Sequence, residues 1–358
     1  MHDAARGARA RGQTEEARRV LDQAHAAAAG DATSDQHVKV ESMSRGPGRP
    51  GDADAPEASD NGRVPLKTRR LIDQRAHWRP LGLGIGLVLW FGYLLVIPIL
   101  SARHGILALA LVPTAGIYLF TWLGYYRHEL WHGYFPHLDN PRWFAFVSYA
   151  LFADPQVYRS AHASHHKFVH TTEDREFYCS EWPTNRFRRR AQFLAELMLG
   201  NVAWEAGSFW RLMKTHGRPV VGAGVMATAK RLALLLAVIT VCELLGPGSG
   251  WRCLAAYGLT IWAGAVMTRH NQWIEHLGIF SAGSLAERNL LTRNLSSSGW
   301  AGRLINLVNH DDAHAHVFHH TEPSVHSRGA TGLALPSGAQ KISVREYGRV
   351  LVHYARSL

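Results

Sequence analysis

The sequence predicts an all-α integral membrane protein with about four transmembrane helices in two hairpins and a cytoplasmic histidine-rich helical cap. Three observations predict it. Four apolar runs come in two closely spaced pairs, lysine and arginine avoid the turns inside each pair, and histidines at helical spacing lie outside the runs.

Residues 1–65 are expected to form a disordered N-terminal tail. They are rich in Ala, Gly, Asp, Arg and Pro, and the stretch SRGPGRPGDADAPEASDNG cannot bury a core. No apolar run follows the early arginines, so no signal peptide is expected, and Met43 is an alternative initiator.

The first pair of runs is LGLGIGLVLWFGYLLVIPIL, from Leu81 to Leu100, and GILALALVPTAGIYLFTWLG, from Gly105 to Gly124. Each has the roughly 20 residues that a helix needs to cross a bilayer. Only SARH separates them, which makes a hairpin. The second pair is Arg231–Gly246 and Trp251–Met267, divided by the turn PGSG. Lys67, Arg69, Arg70, Arg75 and Arg79 precede the first hairpin. Arg127, Arg142, Arg159, Lys167, Arg175 and the basic run Arg186, Arg188, Arg189, Arg190 lie between the hairpins. The turns offer only Arg103 and Arg252. The positive-inside rule therefore puts both termini and the central segment on the cytoplasmic side. Shorter apolar stretches at Trp143–Ala153 and Phe193–Trp204 read as interfacial helices.

Composition narrows the partners. The net charge is +11 and the pI about 9.9, which suits nucleic acid or an anionic membrane surface. The apolar runs favour the membrane, and no nucleic-acid partner is expected. Cys179, Cys242 and Cys253 form no CxxC pair and suggest neither a disulfide framework nor an iron–sulfur or zinc-thiolate site. A transporter would carry ionisable groups inside its spans, whereas Glu243 is the only acidic residue in the four runs.

The 22 histidines carry the functional signal. HELWH holds His128 and His132, four apart and so on one helical face. HASHH holds His162, His165 and His166, and HVFHH repeats that spacing at His316, His319 and His320. HNQWIEHLG adds His270 and His276 just past the last apolar run. Ring nitrogens bind Zn, Cu, Fe and Ni. A structural zinc takes four ligands, so eight or nine clustered histidines suit two ions. His104 and His353 stand alone and are expected to bind nothing.

These boxes make the chain resemble the membrane fatty acid desaturase superfamily, whose signature is HxxxH, HxxHH and HxxHH on the cytosolic face of two transmembrane hairpins. Tyr158 and Arg159 before the second box and Pro323 after the third agree with it. The resemblance implies a desaturase-like domain over residues 66–335, with a C-terminal cytoplasmic tail at 336–358. It implies two Fe ions as cofactors and O2 as co-substrate. The implied metal ligands are His128, His132, His162, His165, His166, His276, His316, His319 and His320. No fused haem, flavin or iron–sulfur motif is visible, so an external electron donor (ferredoxin, rubredoxin or cytochrome) must dock, and the other partners are the membrane and a lipid or acyl substrate. The reaction implied is fatty acyl desaturation.

Departures mark the alternatives. His314 stands where the family often has Asn, and His310 gives the third box a second register. Both read as groups that orient ligands, with Asp311 and Asp312. Glu129 is open between that role and a solvated helix position, while His170 and His326 read as structural or orienting. Trp131, Trp143, Trp273 and Trp300 are candidate channel linings, although such aromatics are mostly structural. HELWH, HTTEDREF after the second box and the Glu275–His276 pair also resemble membrane alkane hydroxylases. Hydroxylation or ketolation of alkanes, carotenoids or sphingoid lipids is thus the alternative reaction.

Overall fold

The computed structural model describes residues 79–104, 110–135, 137–177, 185–310, 313–321 and 334–358. The expected tail at 1–65, Lys67 to Arg75, Cys179, Asp311, Asp312, Pro323 and His326 lie outside the described residues, as do positions 105–109 of the second apolar run. Helices dominate, and the only strands among the described residues are two of two residues each.

The first helix, α1 (Arg79–His104), rises about 39 Å, more than the ~30 Å hydrocarbon core of a bilayer. Leu83, Leu87, Trp90, Leu94 and Ile97 recur every three or four residues and form its buried face. Leu81, Ile85, Val88, Leu89 and Val96 form an exposed apolar face. A π-helical turn (Val112–Gly116) opens α2 (Ile117–Trp131), whose Leu119, Leu123, Tyr126 and Leu130 join α1 in one apolar cluster. The chain continues through α3 (Asn140–Ala150), α4 (Pro155–Phe168), α5 (Arg186–Leu199) and α6 (Asn201–His216).

The second hairpin is α7 (Arg218–Leu245) and α8 (Gly250–His276). Glu243 sits at its turn and accepts the backbone N–H groups of Gly248 and Gly250 at 2.7 and 2.8 Å. The one acidic residue of the apolar runs thus ends α7 and satisfies backbone donors at the start of α8 and in the turn before it. Two described helices are long and apolar enough to cross a membrane, Arg79–Ser101 and Val220–Leu245. Only 11% of the most apolar stretch of the second is buried, against 44% for the first. A core helix of a water-soluble protein would hide that surface, and its exposure suits lipid contact.

α8 is the central helix and packs against α1, α2, α5, α6 and α7. Two glycines permit the approach. A Cβ on Gly264 would lie 2.3 Å from the Phe120 ring of α2, and one on Gly200 would lie 2.2 Å from the Ala265 carbonyl oxygen. Gly200 also turns α5 into α6 at φ +58°, a conformation that side chains disfavour.

Beyond α8 come α9 (Leu285–Leu290), β1 (Asn294–Leu295), α10 (Gly299–Val308), α11 (His316–Thr321), β2 (Lys341–Ile342) and α12 (Val344–Ser357). The strands pair in parallel, Asn294 opposite Lys341 and Leu295 opposite Ile342. The segment expected as a C-terminal tail is thus folded, with β2 paired to β1 and α12 packed on its neighbours. Its Tyr347 and Tyr354 pack with Phe193 of α5 and Trp273 of α8, and the Tyr347 hydroxyl meets His270 Nδ1 at 2.6 Å. A capping box of Ser343 and Glu346 starts α12, satisfying two N-terminal donors reciprocally.

Candidate metal centre

Four helix segments deliver the histidines. The last turn of α2 carries His128, with His132 at its cap. α4 carries His162, His165 and His166, α8 ends on His276, and α11 carries His316, His319 and His320. Spacing of three or four on each helix turns the rings to one side. All nine histidines read from the sequence are brought together.

They fall into neighbouring sets. Ring nitrogens of His128, His132, His162, His166 and His319 all lie within 4.8 Å of one another. His165, His276 and His320 form a second such group, and Glu275, His276 and His316 a third that shares His276. The contacts within the first set are between Nε2 atoms: His128 to His162 at 2.9 Å, His128 to His132 at 3.2 Å, His162 to His166 at 3.2 Å, and His166 to His319 at 3.1 Å. His165 and His320 bridge towards the second set at 3.2 Å, again through Nε2.

Two carboxylates fix which nitrogen points inward. His162 Nδ1 donates to Glu176 Oε2 at 3.0 Å and His165 Nδ1 donates to Asp174 Oδ2 at 2.8 Å. With the proton held on Nδ1, each Nε2 presents a lone pair to its neighbours. Lone pairs facing one another at such distances repel, and a cation among them turns repulsion into coordination. The donor set, all imidazole with an outer carboxylate on two rings, fits divalent transition metals. Burial, followed by the neighbouring histidines, holds His162, His166, His319 and His320 well below the usual histidine range. These rings are therefore neutral near pH 7, the form that binds metal. For His165 burial acts in the same direction, but the Asp174 charge and hydrogen bond and the Glu176 charge outweigh it and raise the value.

The carboxylates are themselves held. Glu176 Oε1 accepts Gln272 Nε2 at 2.7 Å, and its backbone oxygen accepts Trp204 Nε1 at 3.0 Å and the Arg269 guanidinium at 3.3 and 3.4 Å. Arg269 in turn pairs with Glu196 at 2.5 Å, both wholly buried. Asp174→Asn keeps the shape of this support and removes a charge. It is expected to weaken metal retention by about 10–100-fold, measured by competition with a graded chelator.

Several expectations gain detail. Glu129 is a buried ion-pair partner of Arg79 at 3.2 Å and accepts the Tyr125 hydroxyl. His310 packs against the rings of Tyr118, Trp122 and Tyr125, and His314 contacts Ser297 Oγ and the Leu295 carbonyl. Among the described residues, Asp174 and Glu176 reach the Nδ1 atoms of His165 and His162, and Glu275 lies 3.4 Å from His316 Nε2. His170 Nε2 meets Thr292 Oγ1 at 3.2 Å, and its ring lies 5.2 Å from that of His276. Trp131 stacks on His166, and Trp273 is buried on Phe193. Trp143 and Trp300 are exposed.

Asp174, Glu176, Glu275, Arg269 and Gln272 were not assigned roles from the sequence. The signal for the first two was the acid-containing segment HTTEDREF directly after a histidine box, since ligating histidines usually donate their second N–H to a carboxylate.

A cavity of about 720 Å³ opens onto the histidines. His128, His162, His165, His276 and His316 line one part of it. Phe120, Leu151, Trp204, Phe209, Val225, Leu232 and Ile261 give it a mainly apolar wall between α2, α6, α7 and α8. None of the four tryptophans named above lines it. The family model described as fatty acid desaturase matches residues 104–328, a stretch that contains every histidine box. No curated protein matches the sequence.

Proposed function

Because the chain belongs to the fatty acid desaturase family, we propose that it is an O2-dependent fatty acyl desaturase whose nine histidines hold two irons. The observation that carries this reading is the convergence of His128, His132, His162, His165, His166, His276, His316, His319 and His320 beside an apolar cavity. Two irons, reduced from outside, supply activation of dioxygen for removing hydrogen from an unactivated methylene.

The chain's own residues do the rest. Asp174 and Glu176 hold the Nδ1 protons of His165 and His162 and so aim their Nε2 atoms. The apolar wall binds a hydrocarbon chain and excludes water from its reacting carbon, which sets position and orientation. The protein is multi-pass in this reading, with four spans and with both termini and the histidine cap cytoplasmic. An external ferredoxin, rubredoxin or cytochrome delivers the electrons.

Hydroxylation is the second reading, and one observation favours it. Glu275 stands 3.4 Å from His316 Nε2 and 3.9 Å from His276 Nε2, placing a carboxylate among the rings at the Glu–His pair that resembles alkane hydroxylases. Both reactions begin with the same hydrogen removal. The test supplies a deuterated acyl substrate, labelled dioxygen and reduced donor to the purified protein. The expected product is an alkene that has lost two deuteriums and carries no oxygen label, from a protein holding close to two irons per chain. A labelled alcohol as main product would replace desaturation by hydroxylation, and a single tight zinc without iron would end both readings.

A further inference from the structure

The cavity is not uniformly apolar. Away from the histidines its wall includes Asp154, Glu205 and Arg231, with Arg127 also lining it. Arg231 belongs to α7, whose Val220–Leu245 stretch is apolar enough for lipid and carries Lys230, Arg231 and Glu243 as its charged residues. A charged side chain in such a helix is costly and points to function. Here it is turned inward, with Nη1 donating to Glu205 Oε1 at 2.8 Å and to the Phe152 carbonyl at 3.0 Å. Its Nη2 donates to Thr228 Oγ1 at 3.0 Å. Neither partner of the ion pair is sealed off, since the side chains of Arg231 and Glu205 keep 12% and 19% of their surface accessible.

The group beside the pair is electrically balanced. Arg127 and Arg231 bring two positive charges, and Asp154 and Glu205 bring two negative ones. A carboxylate or phosphate entering here would meet two acidic groups as well as two basic ones. A hydroxyl or a carbonyl meets no such conflict, because it accepts from arginine, and a hydroxyl can also donate to Glu205. A purely hydrocarbon ligand fares worst, since it strips water from an ion pair and returns no hydrogen bond.

The position gives the group a second consequence. Asp154 is the N-cap of α4, and His162 lies eight residues further along that helix, about 12 Å at its rise per residue. A head held near Asp154 and Glu205 therefore lies at a fixed distance from the rings. Resting on the lipid-oxidation reading above, we propose that the Glu205–Arg231 pair is an anchor for the small uncharged polar head of an amphiphilic lipid, and that this anchor selects which carbon of the chain reaches the histidines.

Equilibrium binding to the full-length protein in lipid nanodiscs tests this without turnover, using tritiated hexadecanol, hexadecane and palmitate. Hexadecanol is expected to bind tighter than both others by about tenfold or more, the worth of one hydrogen bond to a charged group. Arg231→Met should erase the advantage of hexadecanol over hexadecane, and Arg231→Lys should keep part of it. Glu205→Gln, which leaves the patch net positive, should raise palmitate affinity about tenfold relative to hexadecanol. Equal binding of hexadecane and hexadecanol by the unaltered protein would overturn the anchor. So would an Arg231→Met variant that loses all three ligands alike, or a Glu205→Gln variant with unchanged preference. A second arm maps the oxidised carbon. Arg231→Met should spread the product over several positions at unchanged metal content, and a single unshifted position would also overturn the anchor. A protein that discriminates heads but oxidises no lipid supports the anchor and removes the reaction reading instead.

Discussion

Replacing His319 with alanine should abolish lipid oxidation and release metal, an effect well beyond the roughly 10–100-fold expected for an outer carboxylate. The reason is its position among the boxes. His319 Nε2 contacts His166 of α4 at 3.1 Å, and its ring lies 4.5 and 4.6 Å from the rings of His128 and His132 of α2. One side chain from the last box thus completes a set supplied by the first two. His165→Ala and His276→Ala should act likewise on the second set, where their rings lie 4.5 Å apart. His104 and His353, both exposed, are the controls. Metal per chain and product per minute, measured on the same preparation, check the result. Full metal content in His319→Ala would remove that residue from the ligand set.

The second large effect is on stability. Glu196→Ala should destabilise the fold by about 3–5 kcal/mol, because it leaves the Arg269 guanidinium charged and buried without its carboxylate. Arg269 is 0% exposed, and its nitrogens reach Glu196, Gln272 and the Glu176 backbone oxygen. Replacing both partners together, Arg269→Met with Glu196→Leu, should cost much less than Glu196→Ala alone, since no uncompensated charge remains. The thermal transition of the purified protein gives the comparison. A Glu196→Ala variant that melts with the unaltered protein would mean that water or another group already satisfies Arg269. The loss should also reach the metal, because Arg269 holds the peptide of Glu176 and Glu176 holds His162.

The legible parts of the chain were those whose signal is local. A run of apolar residues states its own length, so α1 could be read directly, whereas α7 begins at Arg218, well before the run read at Arg231–Gly246. Histidines three and four apart state their shared face, so each box could be read as a cluster before any fold was known. The two outer carboxylates could not be read with the same certainty. Asp174 and Glu176 reach back to α4 only because the chain reverses near His170, which adopts φ +60°, and a left-handed non-glycine residue leaves no mark in composition. Arg269 was hidden differently. It follows an apolar run and looks like a flanking charge at a membrane edge, yet Glu196, far away in sequence, draws it inside. The pairing of β1 with β2 was also invisible, because two-residue strands are too short to show alternation.

That pairing has a bearing on how the protein is made. The rings of α11 are the last three of the nine to leave the ribosome, and Asn294 of β1 fixes their helix by accepting the Val317 N–H at 3.1 Å. Asn294 in turn receives its backbone partner from Gln340, later still in the chain. Six rings are therefore synthesised before His316, His319 and His320, each of which completes one of the three sets. Closure of the three sets is thus a late step of synthesis, tied to the pairing of two strands of two residues each.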